Sequence, residues 1–287
     1  MIVVTGATGQ LGSQVVERLL ERVPAETVGV SVRDPAKAAG LAARGVRVRL
    51  GDFTEPATLR HAFEGADQVL VVSASIRGAG ASEANAAAID AAHEVGAGRI
   101  LYTSHQAAAA DSLFSPQTTH AATQDHLARL GVPFTALRNG FYTGALDIHL
   151  GAALATGRIE VPEDGPVSWT AHADLAEAAV VALTENDVLD GVTPPLTGPV
   201  ALDLEEVADV LSQLTGRTIT RVVLSDEDWR AAAIERGLPP MVADFSLGMF
   251  QAARRGEFAV TDPTLERIIG RPATPARTVL QGLIDAR

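Results

Sequence analysis

Short apolar runs alternate with amphipathic stretches through the first half of the chain, the pattern a parallel sheet with crossover helices imposes. Ile2–Thr5 reads as a first strand, after which Leu11, Val15 and Leu19 recur at helical spacing and give a helix with one apolar face. Strands are expected at residues 27–32, 46–50, 68–73 and 99–103, separated by helices at 35–41, after Thr54, and at 82–95. Arg47 and Arg49 alternate through the third strand and mark a less buried face, while Thr54 is a candidate cap for the helix carrying Leu59 and Phe63. The alternation then loosens. Residues 117–130 read as a helix stopped by Gly131, 134–138 as a sixth strand, and 174–183 as a helix with Leu175, Ala179 and Leu183 on one face and His172 as its cap. Asp203 and Glu206 have capping-box spacing ahead of Val207, Val210, Leu211 and Leu214, and Gly216 closes that helix.

Between the first strand and helix lies Gly6-Ala7-Thr8-Gly9-Gln10-Leu11-Gly12. A pyrophosphate needs backbone N–H donors that no Cβ obstructs, together with the positive end of a helix dipole. Gly6 permits the tight turn, Gly9 lets backbone approach phosphate, and Gly12 lets the helix pack on the strand. Thr8, Gln10 and Leu11 share the turn and are assigned to the same dinucleotide site. Arg33 follows the second strand, 21 residues beyond Gly12, where a carboxylate would select NAD and a guanidinium pairs with a 2′-phosphate. NADPH is therefore the expected cofactor, with NADH the alternative. The adjacent Asp34-Pro35 is accounted for as a helix start. Asp52 sits past the third strand, where adenine is expected, and serves equally well as a helix cap; Phe53 follows it. Ser73 and Ala74 close the fourth strand with side chains small enough for a cofactor ribose.

These features define an α/β fold: a Rossmann-type doubly wound parallel sheet with a smaller, intimately joined C-terminal α/β part. The expected division gives residues 1–145 to the nucleotide-binding core, with 165–186 packing back onto it. Residues 146–164 and 187–287 then form the smaller substrate-side part.

Composition removes several alternatives. At 287 residues and 20% charged, the chain suits one large α/β unit, and a formal charge of −12 repels phosphate backbones and anionic surfaces. Nucleic acid and membrane are not expected partners. No cysteine is present, which excludes disulfides, thiolate metal sites and thiol nucleophiles, and no clustered His and carboxylate pattern suggests a metal. The opening Ile2-Val3-Val4 has no basic leader ahead of it, and a cytoplasmic location is expected.

Several segments together resemble the NmrA-like branch of the atypical short-chain dehydrogenases, and are most similar to the bacterial type-2 NADPH:quinone oxidoreductases. They are Val4-Thr5-Gly6-Ala7-Thr8-Gly9, Val32-Arg33-Asp34-Pro35, Gly51-Asp52-Phe53, Leu101-Tyr102-Thr103-Ser104 and Leu137-Arg138-Asn139-Gly140-Phe141-Tyr142. Ala171-His172-Ala173-Asp174-Leu175-Ala176 and Gly270-Arg271-Pro272 complete the set. The glycine turn is common to many families, whereas the Arg-Asn-Gly-Phe-Tyr run is specific. The resemblance implies NADPH binding and a cleft between the core and the C-terminal part.

One departure matters for chemistry. Ordinary short-chain dehydrogenases carry Tyr-x-x-x-Lys on the helix after the fifth strand, where Lys lowers the Tyr pKa; here the stretch reads Pro116-Gln117-Thr118-Thr119-His120. Alcohol oxidation and ketone reduction by that pair are not expected. Quinone reduction needs little acid assistance, because hydride arrival leaves a weakly basic hydroquinone anion. The resemblance places His120 near the nicotinamide, where an imidazole titrating near neutrality donates a proton or binds the developing oxyanion; the alternative is a packing histidine. It also places Asn139, Gly140, Phe141 and Tyr142 along the cleft, and Ser104 where the superfamily keeps a substrate-binding serine. His105 is ambiguous, while His149 and His172 resemble nothing catalytic. Candidate walls for an aromatic substrate are Trp169, Phe141, Tyr142 and Phe245, but at 4% aromatic content a stacking pocket is not assured.

Two readings follow. The first is an NADPH-dependent reductase of a quinone or similar aromatic, electrophilic carbonyl substrate, with His120, Asn139 and Tyr142 as catalytic candidates. The second is a non-catalytic NADP(H)-sensing regulator acting through a protein partner. Monomer and homodimer are both open.

Overall fold

Why the first half folds as it does is visible in the alternation along each strand of the computed structural model, which describes residues 1–74, 76, 80–185 and 189–287. Strands β1 (Ile2–Thr5), β2 (Val28–Val32), β3 (Arg47–Leu50), β4 (Gln68–Val71), β5 (Arg99–His105) and β6 (Phe134–Asn139) alternate with helices α1 (Gln10–Leu20), α2 (Ala39–Ala43), α3 (Pro56–Phe63), α4 (Gly80–Glu94) and α5 (Ser115–Arg129). Val4, Leu70, Leu101 and Leu137 point to one face and pack with α1. Val3, Val69, Val71, Ile100 and Tyr102 point to the other and pack with α3, α4 and α5. The period of two thus buries both faces, as a doubly wound sheet requires.

The chain continues through β7 (Phe141–Tyr142), α6 (Asp147–Thr156), β8 (Arg158–Pro162), β9 (Trp169–Thr170), α7 (His172–Thr184) and β10 (Gly191–Val192). The sheet order is β3-β2-β1-β4-β5-β6-β10, and every neighbouring pair is parallel. The order reverses at β1 and β4, the switch point where such sheets bind ligands at their carboxyl ends. In β3 the alternating arginines are explained by α3. Arg47 donates to Glu64 O (2.7 Å) and Ala62 O (3.0 Å), and Arg49 donates to His61 O. Both guanidinium groups satisfy helix C-terminal carbonyls, where the dipole favours cations.

The remaining elements are α8 (Leu204–Thr215), β11 (Thr220–Leu224), α9 (Asp226–Glu235), α10 (Pro240–Arg254), α11 (Thr264–Ile269) and α12 (Ala276–Asp285). A second core forms around Leu150, Leu211, Trp229, Phe250 and Phe258, with β8 and β11 paired in parallel. Leu265 and Ile269 of α11, with Leu189 and Leu196, belong instead to the first core, and β10 joins the main sheet. This interleaving departs from the expected division, in which all of 187–287 fell on the substrate side; the 186/187 boundary itself lies outside the described residues. The physical reason is that β6 and α7 leave apolar surface that only these later segments cover.

Other local expectations are corrected. Thr54 does not cap α3, whose N-cap is Glu55; instead Thr54 N and Oγ1 each donate to Asp52 Oδ1 at 2.8 Å. Helix α5 starts at Ser115, with Pro116 in its first turn. His172 is the first residue of α7, and the cap is Ala171 with no side-chain bond. The capping box of α8 forms as the spacing requires, Asp203 accepting from Glu205 N and Glu206 N while Glu206 accepts from Asp203 N. Among the described residues no helix is long and apolar enough to cross a membrane.

Candidate active site

The carboxyl edge of the sheet gathers most of the residues singled out in the sequence. At β1, Gly6 has φ +63, a left-handed conformation that glycine adopts without strain. A Cβ on Gly12 would lie 2.2 Å from Gly6 O, so the turn closes only because that position has no side chain. Gly9, the N-cap of α1, makes no side-chain cap bond, so the first N–H groups of the helix remain free for an anion. Thr8 and Gln10 are exposed on the turn, while Leu11 is 5% exposed and its side chain packs in the core. Only the backbone of Leu11 faces the edge.

Arg33 is exposed past β2, and no carboxylate or carbonyl pairs with it among the described residues. Asp34 caps the turn at Pro35–Ala38 through Ala36 N, the structural role its spacing suggested. Asp52 is held ionised below the usual carboxylate range, first by the Thr54 backbone N–H, then by the Thr54 hydroxyl and by the nearby Arg33 charge. Its carboxylate is thus already engaged by a turn, and Phe53 packs against the α3-side core. One residue missed in the sequence is Lys37, the only lysine in the chain. It lines a groove of about 470 Å³ with Ala7, Thr8, Glu17 and Arg44. Its position one helical turn after Arg33 was the available signal. These features fit a dinucleotide phosphate end: an uncapped helix, a glycine cradle and two cations.

At the end of β4, three successive N–H groups lie beyond the ladder, and each is taken by a side chain. Val72 N donates to Thr5 Oγ1 (2.8 Å), Ser73 N to Thr103 Oγ1 (2.8 Å) and Ala74 N to Asn85 Oδ1 (2.9 Å). The segment is therefore fixed from β1, β5 and α4. Ser73, Ala74, Asn85, Thr119, His120 and Phe245 line a small cavity of about 50 Å³.

His120 accompanies them from α5, with its Nδ1 2.8 Å from the Tyr102 hydroxyl. Burial pushes its pKa from 6.5 down to about 4, so the expected titration near neutrality is corrected: the ring is neutral at physiological pH. His105, ambiguous in the sequence, stacks at 6.1 Å from His120 and meets Phe141 and Phe258 edge-on at 5.4 and 5.9 Å. Burial, and then the neighbouring His120 and Arg138, push His105 far below its ordinary value. Ser104 is 3% exposed, and its Oγ accepts from Gln124 Nε2 of α5 at 2.5 Å, a bond that leaves its own proton unused.

At the end of β6, Asn139 is 1% exposed and neither amide atom is hydrogen-bonded, although the amide lies close enough to Tyr142 to oppose the rise that burial causes in its pKa. Tyr142 stacks on His172 at 4.1 Å. Gly140 has a packing reason of its own, since a Cβ there would sit 2.0 Å from Thr170 Oγ1. Phe141 points away from the glycine turn into an aromatic cluster with Phe114, Trp169 and Phe258, at 6.2, 5.4 and 5.2 Å. Phe245 meets Phe114 at 5.0 Å. Trp169 is 4% exposed and donates to Leu202 O, forming the core wall behind Phe141. The few aromatic side chains are concentrated: four of the eight phenylalanines lie in this cluster.

A parallel sheet of this order, with a glycine cradle at its switch point, defines a dinucleotide-binding Rossmann protein. Residues 6–186 match the NAD(P)H-binding family. Quinone oxidoreductase 2 of Escherichia coli is 36% identical over 275 residues, covering 96% of this chain and 95% of that protein. The NAD(P)H azoreductase of Xenophilus azovorans is 34% identical, covering 95% and 94%. The crystal structure of the Escherichia coli NADPH-dependent quinone oxidoreductase complexed with NADPH superposes with a TM-score of 0.93 at 34% identity, covering 99% of this chain and all of that one. The chain belongs to the NAD(P)H-binding family, and an NmrA-like family domain-containing oxidoreductase of Aspergillus flavus is 24% identical over 289 residues, covering 98% of this chain and 94% of that protein.

Proposed function

We propose that this NAD(P)H-dependent oxidoreductase reduces a quinone or a similar electrophilic carbonyl compound with NADPH, without a Tyr-x-x-x-Lys pair. Bound NADPH supplies the hydride. The observation that carries the reading is the juxtaposition of His120, neutral and hydrogen-bonded at Nδ1, with an aromatic cluster at the carboxyl edge. Planar acceptors gain from such walls through stacking and apolar burial. Asn139 offers unpaired donors and an acceptor for a carboxamide or a substrate carbonyl, and Tyr142 backed by His172 offers a rigid face. Hydride arrival on a quinone puts negative charge on oxygen, and a neutral N–H aimed there stabilises it without full proton transfer. The relatives named quinone oxidoreductase and azoreductase support the same class of electrophile.

The regulator reading has one observation in its favour. The two tyrosines are Tyr102, buried behind His120, and Tyr142, stacked on His172, while the single lysine lines the groove beside Thr8. No Tyr–Lys pair can form. The experiment that separates the readings is NADPH consumption with a panel of quinones, run beside His120→Ala. Turnover that drops about 100-fold in the variant is the expected result, in line with loss of one oxyanion donor. Tight NADPH binding with no turnover of any acceptor favours the regulator.

A further inference from the structure

Four groups from the cofactor-side segment to His120, both ends included, form one hydrogen-bonded chain, and its direction is set from a backbone donor that has no choice. Ala74 N is a backbone donor, so the Asn85 atom that meets it at 2.9 Å is the carbonyl oxygen. The other end of that amide is therefore Nδ2, which donates to the Tyr102 hydroxyl oxygen at 3.1 Å. Tyr102 is fully buried, and its one proton needs an acceptor. His120 Nδ1 lies 2.8 Å away. The Thr123 hydroxyl also faces Tyr102, where it opposes the rise that burial causes in the phenol's pKa; its proton goes to Thr119 O at 2.8 Å, within its own helix, and its oxygen is the other acceptor near Tyr102.

We infer that Asn85 and Tyr102 are positioning residues that lock His120 as the Nε2–H tautomer, so that it presents a neutral N–H donor to the substrate oxygen. The chain runs Ala74 N–H to Asn85, Asn85 to Tyr102, Tyr102 to His120 Nδ1, and leaves Nε2–H with no protein partner among the described residues, on a side chain that lines the cavity with Ser73, Ala74 and Phe245. The opposite arrangement is poorer on the same accounting. A proton on Nδ1 would make Tyr102 accept twice and leave its own O–H only the Thr123 oxygen, whereas His120 Nδ1 meets the Tyr102 oxygen at 2.8 Å. The groups facing His120 reinforce neutrality: they are Tyr102 and His105, and no carboxylate pairs with the ring. Because the chain begins at Ala74, the donor is indexed to the segment at the sheet edge where the cofactor is expected. The catalytic consequence rests on the quinone-reductase reading; the tautomer does not.

The test is a long-range proton–nitrogen NMR spectrum of protein carrying nitrogen-15 histidine, with His120 assigned by His120→Gln. Wild type is expected to show a protonated Nε2 and an unprotonated, hydrogen-bonded Nδ1. Asn85→Asp reverses the chain with almost no change in shape. Its carboxylate accepts from both Ala74 N–H and Tyr102, so Tyr102 turns its lone pair to Nδ1 and the proton moves there. The expected result is an inverted tautomer, with kcat for a quinone reduced about tenfold or more and KM for NADPH within twofold of wild type. Tyr102→Phe cuts the chain without reversing it; the Nδ1 resonance shifts as its hydrogen bond is lost, and kcat falls less. A wild-type ring protonated on Nδ1, or an Asn85→Asp ring still protonated on Nε2, overturns the inference. Wild-type protein inert to every quinone sinks the proposed reaction while the spectrum still decides the tautomer.

Discussion

Replacing single glycines by alanine separates what the turn does for the fold from what it does for the cofactor. In Gly12→Ala the new methyl would lie 2.2 Å from Gly6 O and 2.6 Å from Gly6 C. Both are backbone atoms that no rotamer change can move, so the turn must open by about 1 Å to reach van der Waals distance. Overpacking of this kind costs about 1–3 kcal/mol, while the gain in helix propensity is about 1 kcal/mol at most, so strain wins. Gly9 is different. Its φ of −92 suits any residue, and its Cβ would meet only Gly6 O, at 3.3 Å. Stability should fall by about 0.5–1 kcal/mol, the cost of alanine at an N-cap, which is less than in Gly12→Ala; a methyl there also stands where a pyrophosphate approaches the helix N-terminus, so Kd for NADPH should rise about tenfold or more. Gly282→Ala, at an exposed position of α12 with nothing within 4 Å, is the control and should stabilise by about 0.5–1 kcal/mol with Kd unchanged. Urea unfolding and fluorescence titration with NADPH measure both quantities for each variant. Unchanged stability and affinity in Gly12→Ala would refute the steric argument. A Gly9→Ala variant that binds NADPH as tightly as wild type would refute the cofactor argument.

Three further outcomes are expected. Arg33→Ala should weaken NADPH binding about 10- to 100-fold by removing a charge-assisted contact to the 2′-phosphate, and leave NADH binding unchanged; equal losses for both cofactors in a titration would exclude that role. Asp174→Ala should destabilise by about 3 kcal/mol in urea, because the buried carboxylate accepts from Thr274 N (2.6 Å), Thr274 Oγ1 (3.0 Å) and Arg271 Nη2 (2.8 Å); a loss under about 1 kcal/mol would show that the contacts are dispensable. His120 and His149, each pushed by burial down to about 4, are neutral in the folded state and take protons first in the unfolded chain. Stability is therefore unaffected above about pH 6.5 and falls as pH drops toward 4, by at most about 3 kcal/mol per histidine. Urea midpoints measured from pH 8 to 4.5 should fall less steeply in His120→Gln, and an identical slope counts against a buried neutral ring.

How much of this was legible in the sequence depended on how local the signal was. The strands of the main sheet and the glycine turn were visible because period-two apolar runs and glycine spacing are properties of neighbouring residues. The α8 capping box was visible for the same reason, being written in Asp203 and Glu206 alone. The two-residue strands Phe141–Tyr142 and Trp169–Thr170 were not, because each exists only by pairing with the other. Nor could the aromatic cluster be anticipated from composition. Phe114, Phe141, Phe245 and Phe258 come from four separate segments, and only the packing of the C-terminal core over the sheet edge brings them together. His105 had a usable signal, lying at the carboxyl end of β5 beside a residue already singled out. His172 had none, since its stacking on Tyr142 depends on how α7 returns to the sheet.

Motif resemblance also mixed two kinds of residue that the structure separates by their hydrogen bonding. Asp174 and Arg271 come from two of the resembling segments, and they meet each other: the carboxylate bonds to Arg271 and Thr274 and ties α7 to the loop before α12. Gly140 is explained by Thr170 Oγ1 and by Leu196 O, which a Cβ would strike at 2.0 and 2.9 Å. These positions are complete within the protein and need no ligand to account for them. A different set is incomplete. The α1 N-terminus has no side-chain cap, and Arg33 has no protein partner among the described residues. The buried Asn139 amide has neither atom satisfied, and His120, whose Nε2 has no hydrogen-bond partner among the described residues, lines a cavity. Buried polar groups are rarely left unpaired, because each costs about 1–3 kcal/mol. These four positions run along one edge of the sheet, from the phosphate turn to the aromatic cluster, whereas another unpaired buried atom, Gln68 Oε1, lies at the opposite end of β4. On the proposed function, a reduced dinucleotide with a planar acceptor against it would supply acceptors at the first two positions and polar partners at the last two, so the missing bonds at this edge accord with the glycine motif.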